Sequence, residues 1–213
     1  MQPVTSDQHN LVRSYLFLRR AIGVIGLALP AVLIVGKLLL QGGPLLNSIS
    51  GYHHSVMGGV FVGSMCAVGT FLFSYRGYDR TDDICGNVAA VAAIGLALFP
   101  TTPSGSTDGT ERLIGLVHLA FAAVFFVMLA VFCLFLFTKS DGTAPSPQKL
   151  RRNRVYRACG VAMMVCLLLI VFQNVLFDDV LDAMKPVLWL ESAAILAFGV
   201  AWWVKGAVLL RDR

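Results

Sequence analysis

The sequence predicts an all-α fold: a polytopic membrane bundle of six transmembrane helices with both termini cytoplasmic. Three observations predict it. The 213 residues are 57% hydrophobic and 14% charged, where a soluble domain carries about 25% charge. Six apolar stretches, about 21–40, 54–75, 84–100, 113–138, 155–177 and 186–210, approach or exceed the roughly 20 residues that cross a bilayer. Of the 17 Lys and Arg residues, 14 fall on one side of that six-span pattern.

Residues 1–20 read as a cytoplasmic amino tail, and 21–210 as one transmembrane domain. The first span is too long for a cleaved leader, and no small-x-small pattern follows it. Pro30 predicts a kink inside it, and Gln41-Gly42-Gly43-Pro44 predicts the turn that ends it. His53 and His54 open the second span, where Gly59 and Gly63 have the four-residue spacing of close helix contact. Asp82 and Asp83 precede the third span and suit its amino-terminal dipole, and Arg76, Asp79 and Arg80 form a charged cluster beside them. Residues 139–154, with Asp-Gly, Ala-Pro and Ser-Pro, predict a flexible cytoplasmic linker between the first four helices and the last two. Trp189, Trp202 and Trp203 fit interfacial anchoring, and Lys205 fits a side chain reaching for the interface.

Orientation follows from the charges. Lys37, Arg112 and Lys185 are the three basic residues on the other side, so the ends and the basic loops are cytoplasmic. The pI near 9.1 then reflects topology and anionic lipid, and nucleic acid is not an expected partner. None of Cys66, Cys85, Cys133, Cys159 and Cys166 lies in an outer loop and no CxxC occurs, so no disulfide framework is expected.

The same orientation gathers polar side chains at the outer end. His118 lies five residues into the fourth span and Glu191 five after Pro186, while Gln173 and Asn174 close the fifth. At 1.5 Å per residue these groups sit roughly 5–8 Å below the outer boundary, level with Ser50, His53 and His54. Ionisable groups within a span usually face the bundle interior or a wet cavity. Three chemistries compete there. His54, His118 and Glu191 have the ligand types of an open zinc site, without a local ligand spacing. Glu191 and His118 are candidates for proton transfer on a lipid, with Ser50 or Ser192 as nucleophile. Ser50, His53, His54, Gln173 and Asn174 are candidates for binding without catalysis. Adjacent helical residues diverge by about 100°, so His53 and His54 are not expected to face one centre.

Three features carry a resemblance. They are Ser48-Ile49-Ser50-Gly51-Tyr52 leading into the second span, His118 followed by Ala120 and Phe121, and Glu191 opening the last span. In these the chain resembles the DRAM/Sfk/Frag-type family of six-helix membrane proteins. Family members tend to have an aromatic after the glutamate, where this chain has Ser192. The segment from Phe71 to Asp79 and Ala197-Phe198-Gly199 look like bacterial proteins on the same plan. The resemblance implies lipid processing or lipid distribution in a bacterial plasma membrane, with His118, Glu191 and Ser50 as the matching positions. Ser50-x-x-x-His54 is similar, more weakly, to the CREST membrane metal hydrolases, which have seven helices and a late HxxxH that this chain lacks. The functional expectation is an outer-leaflet polar pocket that binds or remodels a lipid; the alternative is a membrane organiser or small-solute carrier.

Overall fold

A computed structural model describes residues 6–77, 79–140, 145–176 and 182–206. Its helices are α1 (Ser6–Leu40), α2 (Gly58–Phe73), α3 (Arg80–Leu98), α4 (Gly109–Val131), α5 (Pro147–Leu176) and α6 (Pro186–Lys205). Single 3₁₀ turns occupy Ser50–His54 and Asp182–Met184, and α4 runs on through a π-turn at Phe132–Leu136. The described residues contain no strand. Each helix packs on its neighbours in sequence and α6 returns to α1, so the six form a closed ring. Five of them are long and apolar enough to cross a membrane. Large apolar side chains such as Leu39, Leu116, Phe135, Leu168 and Val175 stand exposed on the outside, as an apolar solvent allows.

Several expectations are corrected. α1 begins at Ser6, within the expected amino tail, and includes Pro30. The expected linker ends at Ser146, whose hydroxyl accepts from the Lys149 amide at 3.1 Å where α5 begins. Its Asp141-Gly142 falls outside the described residues, as do 207–210 of the expected last span. The second span is shorter than expected: α2 has 16 residues, about 24 Å at helical rise. Ser55 is the cause. Its hydroxyl donates to the Tyr52 carbonyl at 2.7 Å and accepts from the Met57 amide at 3.1 Å, a local alternative that displaces the helical ladder. Trp202 is no interfacial anchor. It is fully buried, with its ring centre 5.4 Å from Tyr75 and 5.1 Å from Phe137.

The glycines that bring helices together are not the expected pair. Gly59 and Gly63 are exposed and a Cβ at either would meet nothing within 4 Å. The close approach is between α1 and α6, where a Cβ on Gly199 would lie 2.7 Å from the Leu27 nitrogen and one on Gly23 2.8 Å from the Trp203 nitrogen. Small residues there let two backbones touch, which drives association where lipid removes the hydrophobic effect.

At the basic end, Asp79 rather than Asp82 or Asp83 caps α3. Its carboxylate accepts from the Thr81 and Asp82 amides at 2.9 and 3.2 Å. Lys139 then donates to Asp79 at 2.8 Å and to the fully buried Asp82 at 2.6 Å. Arg76 is not part of this cluster through its guanidinium Nη1, which donates to the Phe73 and Tyr75 carbonyls. The hydrogen bond from Lys139 holds the Asp79 carboxyl below its ordinary range. Desolvation pulls the Lys139 ammonium down, but its hydrogen bonds to both carboxylates and their charges outweigh this and leave it raised.

Two predictions follow from this packing and charge. Gly199→Val lowers stability by about 2 kcal/mol through overpacking, while Gly63→Val has little effect; unfolding in detergent with both variants checks this. Lys139→Met lowers stability by about 2 kcal/mol at pH 7, because Asp82 stays buried without its cation. In the wild type, the Asp79 contribution is present above about pH 4 and fades as acid titrates the depressed carboxyl. The Lys139 contribution is present below about pH 10.5 and fades as base titrates the raised ammonium. The variant lacks the Lys139 change and the larger part of the Asp79 change, and keeps the part due to the Thr81 and Asp82 amides. Matching stability–pH curves for the two proteins would refute the assignment.

Candidate functional site

At the other end, the segment between α1 and α2 folds back over the bundle as a lid. Lys37, buried in the last turn of α1, donates to the Gly42 and Pro44 carbonyls at 2.5 and 2.6 Å. A lysine thus supplies donors to carbonyls of the loop that follows the helix. Gly42 and Gly43 turn the chain at φ 68° and 73°, where a side chain would be strained. The lid then inserts Ile49 and Tyr52, which are 1% and 0% exposed. Burial raises the Tyr52 hydroxyl above its ordinary range. Lys185, in the left-handed region at φ 53°, donates from its side chain to Asn47.

Glu191 anchors this lid. Its Oε2 accepts from the Ile49 amide at 2.6 Å and the Ser50 amide at 3.2 Å. These amides open the Ser50–His54 turn, which has no side-chain cap of its own at Ile49. A carboxylate at such a terminus meets free donors and the favourable end of the peptide dipoles. The Glu191 carboxyl of α6 therefore caps a turn 141 and 142 positions earlier in the chain.

Glu191 and Ser50 also line a narrow cleft. Its remaining walls are apolar and come from every helix except α5, with Leu29, Phe61, Met65, Phe125 and Ile195 among them. The free volume is about 30 Å³, room for one or two waters and not for an acyl chain.

The three candidate histidines of this end serve a second purpose. His53 Nε2 lies 3.3 Å from the Ala97 carbonyl, His54 Nε2 2.7 Å from that of Thr101, and His118 Nδ1 2.6 Å from that of Phe99. A carbonyl only accepts, so each of these nitrogens carries the proton. Pro100 prevents α3 from continuing, and the histidines supply donors to alternate carbonyls as the helix ends. In the 3₁₀ turn, His53 and His54 have ring centres 5.5 Å apart and bond to different carbonyls of one segment, those of Ala97 and Thr101. His118 is buried, and its Nε2 has no hydrogen-bond partner among the described residues.

The candidate residues thus divide into three groups. Ser50 and Glu191 meet at the cleft. His53, His54 and His118 meet on residues 97–101, and none of them lines the cleft. Gln173 is buried and Asn174 exposed on α5, which contributes nothing to the cleft. Among the described residues, no three His, Cys, Asp or Glu side chains converge as a metal ion requires. The Ser192 hydroxyl donates to the Leu188 carbonyl at 2.6 Å, so its proton is engaged within α6. Sequence reasoning passed over Lys37 and the Ile49 and Ser50 amides. The Gly-Gly-Pro after Lys37 was the available signal for the first; backbone amides carry no sequence signal.

Glu191→Ala should free the lid, speeding amide exchange at Ile49 and Ser50 by about 10- to 100-fold, the worth of hydrogen bonds to a charged acceptor. Glu191→Gln keeps an acceptor oxygen and should retain most of the protection. Hydrogen–deuterium exchange of the peptide covering residues 45–54 reads both; unchanged exchange in the alanine variant would show that Ile49 and Tyr52 hold the lid unaided.

No protein-family model, curated protein or solved structure matches this chain.

Proposed function

We propose that the chain is an integral protein of a bacterial plasma membrane that binds a lipid at the Glu191 end. In this reading both termini are cytoplasmic, and the lid lies at the depth of the outer leaflet. The observation that carries it is the make-up of the cleft: apolar walls from five helices, with one carboxylate and one hydroxyl, those of Glu191 and Ser50, among its lining. That combination suits an amphipathic molecule with its polar group beside Glu191 and its apolar part among Phe61, Met65 and Phe125. A carboxylate selects hydroxyl or ammonium groups and repels phosphate.

The small free volume means that the described form is closed. A lipid enters by displacing the lid or by rotating flexible side chains such as Met65, whose thioether adapts readily. Binding alone fits an organiser of membrane lipid. Remodelling adds proton transfer by Glu191, and a small-solute carrier uses the same opening without turnover.

Native mass spectrometry of gently purified protein tests the reading. The wild type should retain a lipid that is lost in Ile195→Trp, which fills the cleft, and reduced in Glu191→Gln. His118→Ala should retain it. The same lipid complement in all four folded proteins would overturn the proposal.

A further inference from the structure

The polar side chains of the Glu191 cleft are few, and they narrow the kind of lipid it can hold. Among the described residues that line it, Glu191 and Ser50 alone carry side-chain oxygen or nitrogen, and none is Lys, Arg or His. Glu191 is already partly engaged. Its Oε2 accepts from the Ile49 amide at 2.6 Å and the Ser50 amide at 3.2 Å, and the Ser50 hydroxyl hydrogen-bonds to the same carboxyl. Among the described residues no cation pairs with it. A carboxylate has about four acceptor sites, so these donors leave room for one more.

Each class of headgroup meets that opening differently. A phosphate needs donors or cations around its oxygens, and burying it among apolar walls without them is costly. The lining supplies no cation, which disfavours anionic phospholipids. Zwitterionic ones fail for the same reason. An ethanolamine ammonium lies only two carbons from its phosphate ester, so it reaches Glu191 with the phosphate among Phe61, Met65 and Phe125. A free ammonium has three donors and a strongly hydrated charge. Glu191 has one site left and Ser50 one hydroxyl oxygen, so a third donor would lose its water without gaining a partner. A hydroxyl brings a single donor, and the open site satisfies it.

On the reading of this cleft as a lipid site, we propose that its ligand is an uncharged lipid alcohol, free of phosphate, whose hydroxyl donates to Glu191. Its apolar chain lies among Phe61, Met65 and Phe125 once the closed form has opened. The alcohol uses an acceptor site that the Ile49 and Ser50 amides leave open. The contact between Glu191 and the lid therefore survives binding, and the hydroxyl joins it.

The test is thermal unfolding of the full chain in phosphatidylcholine nanodiscs that carry a small fraction of one added compound. Four compounds share one chain and differ in headgroup: oleyl alcohol, its methyl ether, oleylamine and oleoyl lysophosphatidylethanolamine. Oleyl alcohol should raise the unfolding temperature of the wild type by about 3 °C or more, and the other three should give no comparable gain. The gain should vanish in Ile195→Trp, which fills the cleft. Ser50→Ala should reduce it, and serves if the tryptophan variant does not fold. An equal gain with the methyl ether overturns the proposal, because the chain and not the hydroxyl is then recognised. An equal or larger gain with oleylamine or the lysophospholipid also overturns it; if that gain is lost in Ile195→Trp, the cleft still stands as a lipid site and only the alcohol falls. A gain that persists in both variants, or no gain with oleyl alcohol, overturns it too. In that last case a lipid retained by the wild type in native mass spectrometry would leave the lipid reading of the cleft intact.

Discussion

Backbone groups that leave a helix in the packed interior must find partners within the protein, and this constraint organises the Glu191 end. Breaks there include residues 41–57 and 99–108. Both are answered by side chains. Glu191 takes the amides of Ile49 and Ser50, Lys37 donates to the carbonyls of Gly42 and Pro44, and histidines donate to the carbonyls of Ala97, Phe99 and Thr101 where α3 ends. The polar residues that are costly in lipid thus offset a second cost, that of irregular backbone. Their presence at one depth has a structural cause before it has a chemical one.

The two ends are built on different rules. At the basic end, charge meets charge: Asp79, Asp82 and Lys139 form ion pairs beside an aromatic cluster of Tyr75, Phe132, Phe137 and Trp202. At the Glu191 end, charged groups meet backbone. Neutral dipoles bind a carboxylate without a bulky partner, which leaves the apolar cleft beside Glu191 clear of counter-ions. A site for an uncharged or cationic polar group needs that vacancy of charge.

Hydropathy and charge made the helical membrane fold legible, because a span needs length and apolarity more than any particular residue. The shortening of α2 was not legible. His54 to Met57 read as span, yet they precede α2, where the Ser55 hydroxyl bonds take the place of the helical ladder. Glycine spacing misled for a similar reason: Gly59 and Gly63 have the right interval, but helix rotation turns them outward and Gly23, Gly26 and Gly199 inward. Periodicity gives an interval and not a phase. At the candidate site, the grouping of polar residues by depth was readable, while their division between cleft and carbonyls depended on the 3₁₀ turn that re-aims His53 and His54.

The short α2 bears on the surrounding membrane. Its 16 residues reach about 24 Å, several ångströms less than the hydrocarbon core of a typical bilayer at about 30 Å. Of the helices it packs on, α1 with 35 residues reaches well past that core, and α3 with 19 reaches about 28.5 Å. Where α2 crosses a bilayer of that thickness, the lipids beside it compress or tilt to match it. The route by which a lipid reaches the cleft would then be set by the thickness of the membrane as much as by the residues that line the entrance.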